Sequence, residues 1–111
     1  MSAAIEKDPM QDAMQAMVDN AQSAADMMKA LSHEGRLMIL CHLVGGEKSV
    51  TELEQLLAVR QAAVSQHLSR LRAEGLVTTR RDGKTVYYAL AGTSSRQIIE
   101  VLHNIYCSID T

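Results

Sequence analysis

The sequence has no tryptophan and no phenylalanine, and aromatics make up only 3% of it although 47% of the chain is hydrophobic. A core must therefore be assembled from Leu, Ile, Val, Ala and Met, a composition that favours helices. The 111 residues suffice for one compact domain and not for two. Long apolar runs are missing as well. No stretch reaches the roughly 18 residues a membrane span needs, and the opening Met1-Ser2-Ala3-Ala4-Ile5-Glu6-Lys7-Asp8-Pro9 lacks the basic start and apolar run of an export signal. A soluble, cytoplasmic protein with no membrane partner is expected. Cysteine occurs twice, as Cys41 and Cys107. Far apart in a chain without an export signal, these two form no structural disulfide framework and are either core residues or a redox device. There is no Cys-x-x-Cys pair, no activating base at a known spacing and no substrate loop, so the rival reading of a thiol enzyme or sulfur carrier is weak and no enzymatic activity is expected.

The net charge of −2 looks unsuited to a nucleic-acid binder until the charges are placed along the chain. Residues 1–59 carry four basic and nine acidic side chains, whereas residues 60–84 carry Arg60, Arg70, Arg72, Arg80, Arg81 and Lys84 against only Glu74 and Asp82. This basic island is either the electrostatic footprint of phosphate binding or an ordinary solvated face.

Residues 1–11 are polar, include the only proline and show little periodicity, so a flexible arm is expected there and a single domain over 12–111. Met14, Met17, Ala21, Ala24, Met28 and Leu31 alternate steps of three and four and form one seam of a first helix, assigned to core or dimer contact. Without clustered Cys and His, the methionines are a pliable packing surface rather than a soft-metal site. Ser32 is the expected N-cap of a second helix in which Leu37, Leu40, Cys41 and Val44 share a face, ended by Gly45-Gly46. Ser49-Val50-Thr51-Glu52 reads as a capping box opening a short helix with the stripe Leu53, Leu56 and Leu57. Ala58-Val59-Arg60 then leads into a longer amphipathic run from Gln61 to Glu74, closed by Gly75. Short helix, tight turn and second helix, over about 50–74, is the order of a helix-turn-helix.

In the longer helix Val64, Leu68 and Leu71 are spaced to face the core. Gln61, Ala62, Ser65, Gln66 and Arg70 fall on or near the opposite face, where small and amide side chains allow close approach to base edges. Next come Leu76–Arg80 and Thr85–Leu90, β-branched and aromatic, flanking Arg81-Asp82-Gly83-Lys84, a hairpin turn with Asp-Gly at its tip: a wing over about 76–90 with Arg80, Arg81 and Lys84 assigned to its tip, suited to phosphate or minor-groove contact. A final helix from near Ser94 carries Ile98, Val101, Leu102 and Ile105, with Cys107 close to its end. The expected fold is mainly α with a β-hairpin wing, a winged helix-turn-helix that dimerises through its first and last helices.

The runs Lys29-Ala-Leu-Ser-His-Glu-Gly-Arg-Leu-Met-Ile-Leu40, Val64-Ser-Gln-His-Leu-Ser-Arg-Leu71, Gly75-Leu76-Val77 and Arg81-Asp-Gly-Lys-Thr-Val-Tyr-Tyr88 together resemble the ArsR family of winged-helix repressors, over roughly residues 25–107. The resemblance implies a homodimer that leaves double-stranded DNA on a metal or thiol signal, with residues 61–73 as recognition helix and an inverted-repeat operator as partner. Metal-sensing members carry a Cys-x-Cys type motif on the helix before the turn, or carboxylate and His ligands on the last helix. Here residues 51–57 contain neither Cys nor His, and the last helix offers only Glu100 and His103, so no metal and no cofactor is expected. The pair Cys41 and Cys107 instead resembles the persulfide-sensing branch of the family, which implies a redox sensor closed by a disulfide or polysulfide bridge, with reactive sulfur species as inducer. A metal- or haem-responsive repressor on the same fold is the alternative. His33, His42 and His103 read as surface or capping residues, while His67 either contacts phosphate or packs behind the recognition helix.

Overall fold

The computed structural model describes residues 8–58, 61–92 and 94–107, with Gln61, Ala62 and Cys107 described by backbone alone. Among these residues five helices and three short strands follow in the order α1 (Pro9–Leu31), α2 (Glu34–Leu43), β1 (Lys48–Ser49), α3 (Val50–Leu57), α4 (Gln61–Ala73), β2 (Val77–Asp82), β3 (Thr85–Leu90) and α5 (Ser94–Leu102), and a π-helical turn over His103–Cys107 continues α5. The strands form one antiparallel sheet in the order β1-β3-β2. No helix among the described residues is long and apolar enough to cross a membrane.

Helix α1 begins at Pro9, inside the segment expected to be an arm. Pro9 occupies the first helical position, where its missing N–H costs nothing, and the Asp8 carboxylate accepts from Met10 N at 3.0 Å. Only the C-terminal end of α1 is buried, through Ala30 and Leu31; Met14 and Met28 of the seam stay exposed, and Met17 is 73% exposed. Apart from Leu31, which joins the core, the seam is thus left largely uncovered by the described residues.

His33, not Ser32, caps α2: its Nδ1 accepts from Gly35 N at 3.0 Å. Ser32 is used up by the preceding helix, its hydroxyl donating to the Lys29 carbonyl at 2.8 Å, and Arg36 ties the corner by donating from Nε to the Ala30 carbonyl at 2.7 Å. Helix α2 is the hub, touching α1, α3, α4, α5 and β3. Accordingly it buries Ile39 and Leu43 as well as Leu40 and Cys41, while Leu37 and Val44 of the expected face are only half-buried. The centre of the core is Ile39, Leu40, Leu43, Leu53, Val64, Leu68, Leu71 and Ile99, all aliphatic.

The capping box forms as read, with Ser49 Oγ accepting from Glu52 N at 3.2 Å and Glu52 Oε1 accepting from Ser49 N at 3.1 Å. Ser49 is also the last residue of β1, so a single residue hands the chain from sheet to helix. Helix α3 ends on Ala58 in the left-handed region, φ 52°, its N–H donating to the Glu54 carbonyl at 2.8 Å. Leu56, expected in the apolar stripe, is 50% exposed. Gly75 terminates α4 with φ 76° in a Schellman arrangement: its N–H reaches the Arg72 carbonyl at 3.0 Å, and Leu76 N reaches the Leu71 carbonyl at 2.9 Å.

Candidate nucleic-acid interface

Helix α3 packs against α4, and α4 turns one face inward through Val64, Leu68 and Leu71, all at 0% exposure. That fixes its rotation and sends Ser65, Gln66, Ser69, Arg70 and Arg72 to solvent. Gln61 and Ala62 lie in the first turn of the helix, with side chains outside the described residues. Ser69 stands one turn on from Ser65 and Gln66 on the same ridge, a position the sequence reading passed over; the i, i+3, i+4 spacing would have found it. Arg70 makes an exposed ion pair with Glu74 at 3.4 Å. Such i, i+4 pairs contribute only about 0.3–0.5 kcal/mol, so Glu74 is readily exchanged for a stronger anion.

His67 belongs to the other side of α4. Its half-buried ring stacks on His33, centroids 4.6 Å apart and planes tilted by 50°, over the N-terminal turn of α2. A Cβ at Gly35 would lie 2.8 Å from His67 Nε2, so glycine is what lets the ring sit there. Burial lowers the His67 pKa below the ordinary imidazole value, with His33 and Arg36 adding to the effect. Of the two roles left open for His67, packing behind the helix is the one that the contact with His33 matches.

The wing is a regular hairpin in which Val77 pairs with Leu90, Arg80 with Tyr87, Arg81 with Val86 and Asp82 with Thr85. The turn is made by Gly83 and Lys84 rather than by the expected Asp82-Gly83, because Asp82 still pairs with Thr85; Gly83 takes φ 63° while Lys84 does not go positive, as a II′ turn requires. Arg81 and Lys84 are exposed at and beside the tip. Arg80 is not with them. It sits further down β2, its Nε donating to Glu47 Oε1 at 2.9 Å and Oε2 at 2.7 Å and its Nη2 also reaching Oε1, while the guanidinium carbon lies 4.6 Å above the Tyr87 ring centroid. The Arg80 guanidinium holds the Glu47 carboxyl below the usual carboxylate range. Glu47 escaped the sequence reading because a two-residue strand carries no pattern.

Cys41 is buried in α2, and α5 packs against that helix before leading through the π-helical turn to Cys107. The Cys107 side chain lies outside the described residues, so the sulfur–sulfur geometry of the expected sensor does too. Beside Cys41, burial lowers the His42 pKa, with Lys48 and His103 contributing; His103 Nδ1 is itself buried and meets no hydrogen-bond partner among the described residues. No group of three or more His, Cys, Asp or Glu gathers among the described residues as a metal ion would require.

The family model for bacterial regulatory proteins of the arsR family matches residues 33–79, from the α2 cap into the first strand of the wing. The chain is 46% identical over 94 residues to the transcriptional activator HlyU of Vibrio cholerae, matching 85% of this chain and 87% of that one. It is 42% identical over 92 residues to the biofilm growth-associated repressor of Xylella fastidiosa, matching 83% and 81%. Reduced HlyU superposes with a TM-score of 0.80 over 85% of this chain and 99% of that structure, and the repressor BigR from Xylella fastidiosa with 0.79 over 85% and 93%. The homodimeric winged helix-turn-helix DNA-binding domain of Mb0332 from Mycobacterium bovis, 25% identical, superposes with 0.71 over 92% and 89%.

Proposed function

The chain belongs to the ArsR family of bacterial regulatory proteins, and from that membership we propose that it is a homodimeric repressor which reads an inverted-repeat operator and releases it when reactive sulfur links Cys41 to Cys107. The protein is a winged helix-turn-helix transcriptional regulator. The observation that carries the DNA-reading assignment is the exposed ridge of Ser65, Gln66 and Arg70 above a fully buried Val64, Leu68 and Leu71, because it leaves α4 one free face of groove-compatible side chains. In this reading Ser65, Gln66 and Arg70 face base edges and adjacent phosphates, Gln61 and Ala62 belong to the same set by their place in the first turn of α4, and Arg81 and Lys84 of the wing neutralise backbone phosphates.

Dimerisation is supported by the apolar surface that α1 and α5 leave uncovered, including Met14, Met28, Ile98 and Val101, and by the homodimer among the similar structures. Two copies of α4 related by two-fold symmetry meet half-sites about one helical turn apart, hence the inverted repeat. Of the two relatives, one is named an activator and the other a repressor; repression needs only that α4 and the wing occupy the operator.

The thiol switch rests on position. Cys41 lies in the hub helix α2 and Cys107 ends the turn that follows α5, so a covalent link would join a core helix to the dimerising one and shift the spacing of the two α4 helices. A hydrodisulfide supplies the oxidant: the two thiols lose two protons and two electrons to form one bridge, and the hydrodisulfide is reduced to two hydrogen sulfides. Additional sulfane sulfur retained between the cysteines lengthens the bridge and relaxes the roughly 7 Å Cα limit of a plain disulfide. Intact mass and operator affinity, measured together before and after polysulfide, test this reading; release of DNA with both thiols still reduced overturns it.

A further inference from the structure

Glu47 lies in the chain entering β1, Arg80 on β2, and between these two edges of the sheet runs β3 with Tyr87. Arg80 reaches across the middle strand, stacks on the Tyr87 ring and closes a two-oxygen grip with the Glu47 carboxylate. Thirty-three residues separate the pair in sequence. Arg80 is thus held from two sides, by the edge of a carboxylate and by the face of a ring, in the fork geometry that makes Arg–carboxylate and Arg–phosphate pairs equivalent. Because successive residues of a strand point to opposite faces, Arg80 and its neighbour Arg81 also lie on different sides of the wing.

We propose that Glu47 is a built-in phosphate mimic that masks Arg80, so that Arg80 seats the wing on the sheet instead of contacting the operator and Glu47 sets how many wing cations the DNA meets. This rests on the reading that the wing lies on DNA. The pair remains about half exposed, and β2 is the outer strand, so Arg80 is within reach of a duplex once its carboxylate partner is gone. A charge count from composition credits the wing with Arg80, Arg81 and Lys84; the clasp removes one of the three from the phosphate account.

The salt dependence of operator binding by the full chain separates the roles, since each phosphate contact contributes about −0.9 to the slope of log K against log salt. Arg81→Gln should flatten the slope by about 0.9, whereas Arg80→Gln should leave it at the wild-type value. Glu47→Gln should steepen it by about 0.9, so that its affinity advantage over wild type grows about 3- to 4-fold between 200 and 50 mM salt. In the double variant Glu47→Gln, Arg80→Gln the slope should return to wild type, because the gain passes through Arg80. The proposal is overturned if Arg80→Gln flattens the slope as Arg81→Gln does, if Glu47→Gln leaves it unchanged, or if Glu47→Gln steepens it equally without Arg80. If Arg81→Gln has no effect, the wing is off the DNA and the underlying reading fails first. Thermal melts of each variant confirm that the hairpin is folded.

Discussion

His67 of α4 stacks on His33, the residue whose Nδ1 caps α2, with ring centroids 4.6 Å apart. The contact ties the inner side of α4 to the first turn of the hub helix, with Gly35 giving the ring room. Burial is the main reason the His67 pKa is lowered, and His33 and Arg36 of α2 reinforce it. His42 is lowered for the same leading reason, with Lys48 and His103 facing it.

The sign of the pH dependence follows. An unfolded histidine takes up its proton near pH 6.5, whereas folded His67 and His42 do so only at lower pH. Between those values the unfolded chain binds more protons, so stability is fully present above about pH 6.5 and declines as pH falls below it. Urea midpoints should drop between pH 7.5 and 5.5, and the drop should shrink in the double variant His42→Gln, His67→Gln. A midpoint independent of pH, or an equal drop in the variant, contradicts this account.

On the outer face of α4, Gln66→Ala should weaken operator binding by about 1–3 kcal/mol if its amide reads a base, and Arg70→Ala should weaken it through a base or phosphate. Leu68→Ala, on the opposite and fully buried face of the helix, should instead cost about 2–5 kcal/mol of folding stability. Anisotropy titrations alongside denaturant melts separate the two classes. Unchanged operator affinity in both Gln66→Ala and Arg70→Ala removes α4 from the DNA.

The parts of this fold that were legible in the sequence are those whose signals are local. The Ser49–Glu52 box, the Gly75 stop and the Val64–Leu68–Leu71 period each lie within a few residues, and each has its expected counterpart in the structure. What escaped depends on partners distant in sequence. Ile39 and Leu43 are buried because α2 is surrounded, which a one-sided stripe does not encode. Ser32 looked like the cap of α2 until the Lys29 carbonyl claimed its hydroxyl, and Arg80 looked like a tip cation until the sheet brought Glu47 to it.

Association should be as consequential as recognition. Met28 and Ile98 border an apolar groove between α1 and α5 that also takes in Met27, Leu31 and Leu102. Met28→Glu combined with Ile98→Glu places two charges on this surface without touching the buried core, since both side chains are more than 40% exposed. Light scattering should report a dimer for the wild type and a monomer for the variant, and the monomer should lose the inverted repeat. A wild-type monomer occupying one half-site at working concentration refutes the dimer.

The switch itself is tested at the cysteines. Cys41→Ser and Cys107→Ser should each leave DNA binding by the reduced protein nearly intact, because serine is close in size and neither position lies on α4. Cys41 is buried, so its serine variant is also expected to lose some stability; this affects the melt and not the response. After polysulfide, wild type should leave the operator and return on reduction, while each single variant stays bound, because one thiol can be capped but cannot bridge. A coupling of about 1–3 kcal/mol corresponds to a 5- to 150-fold change in affinity. If both cysteines are core residues only, the variants change stability and respond to polysulfide as wild type does. Mass spectrometry of the released form decides: a Cys41–Cys107 link within one chain sustains the switch, and release with both thiols reduced eliminates it.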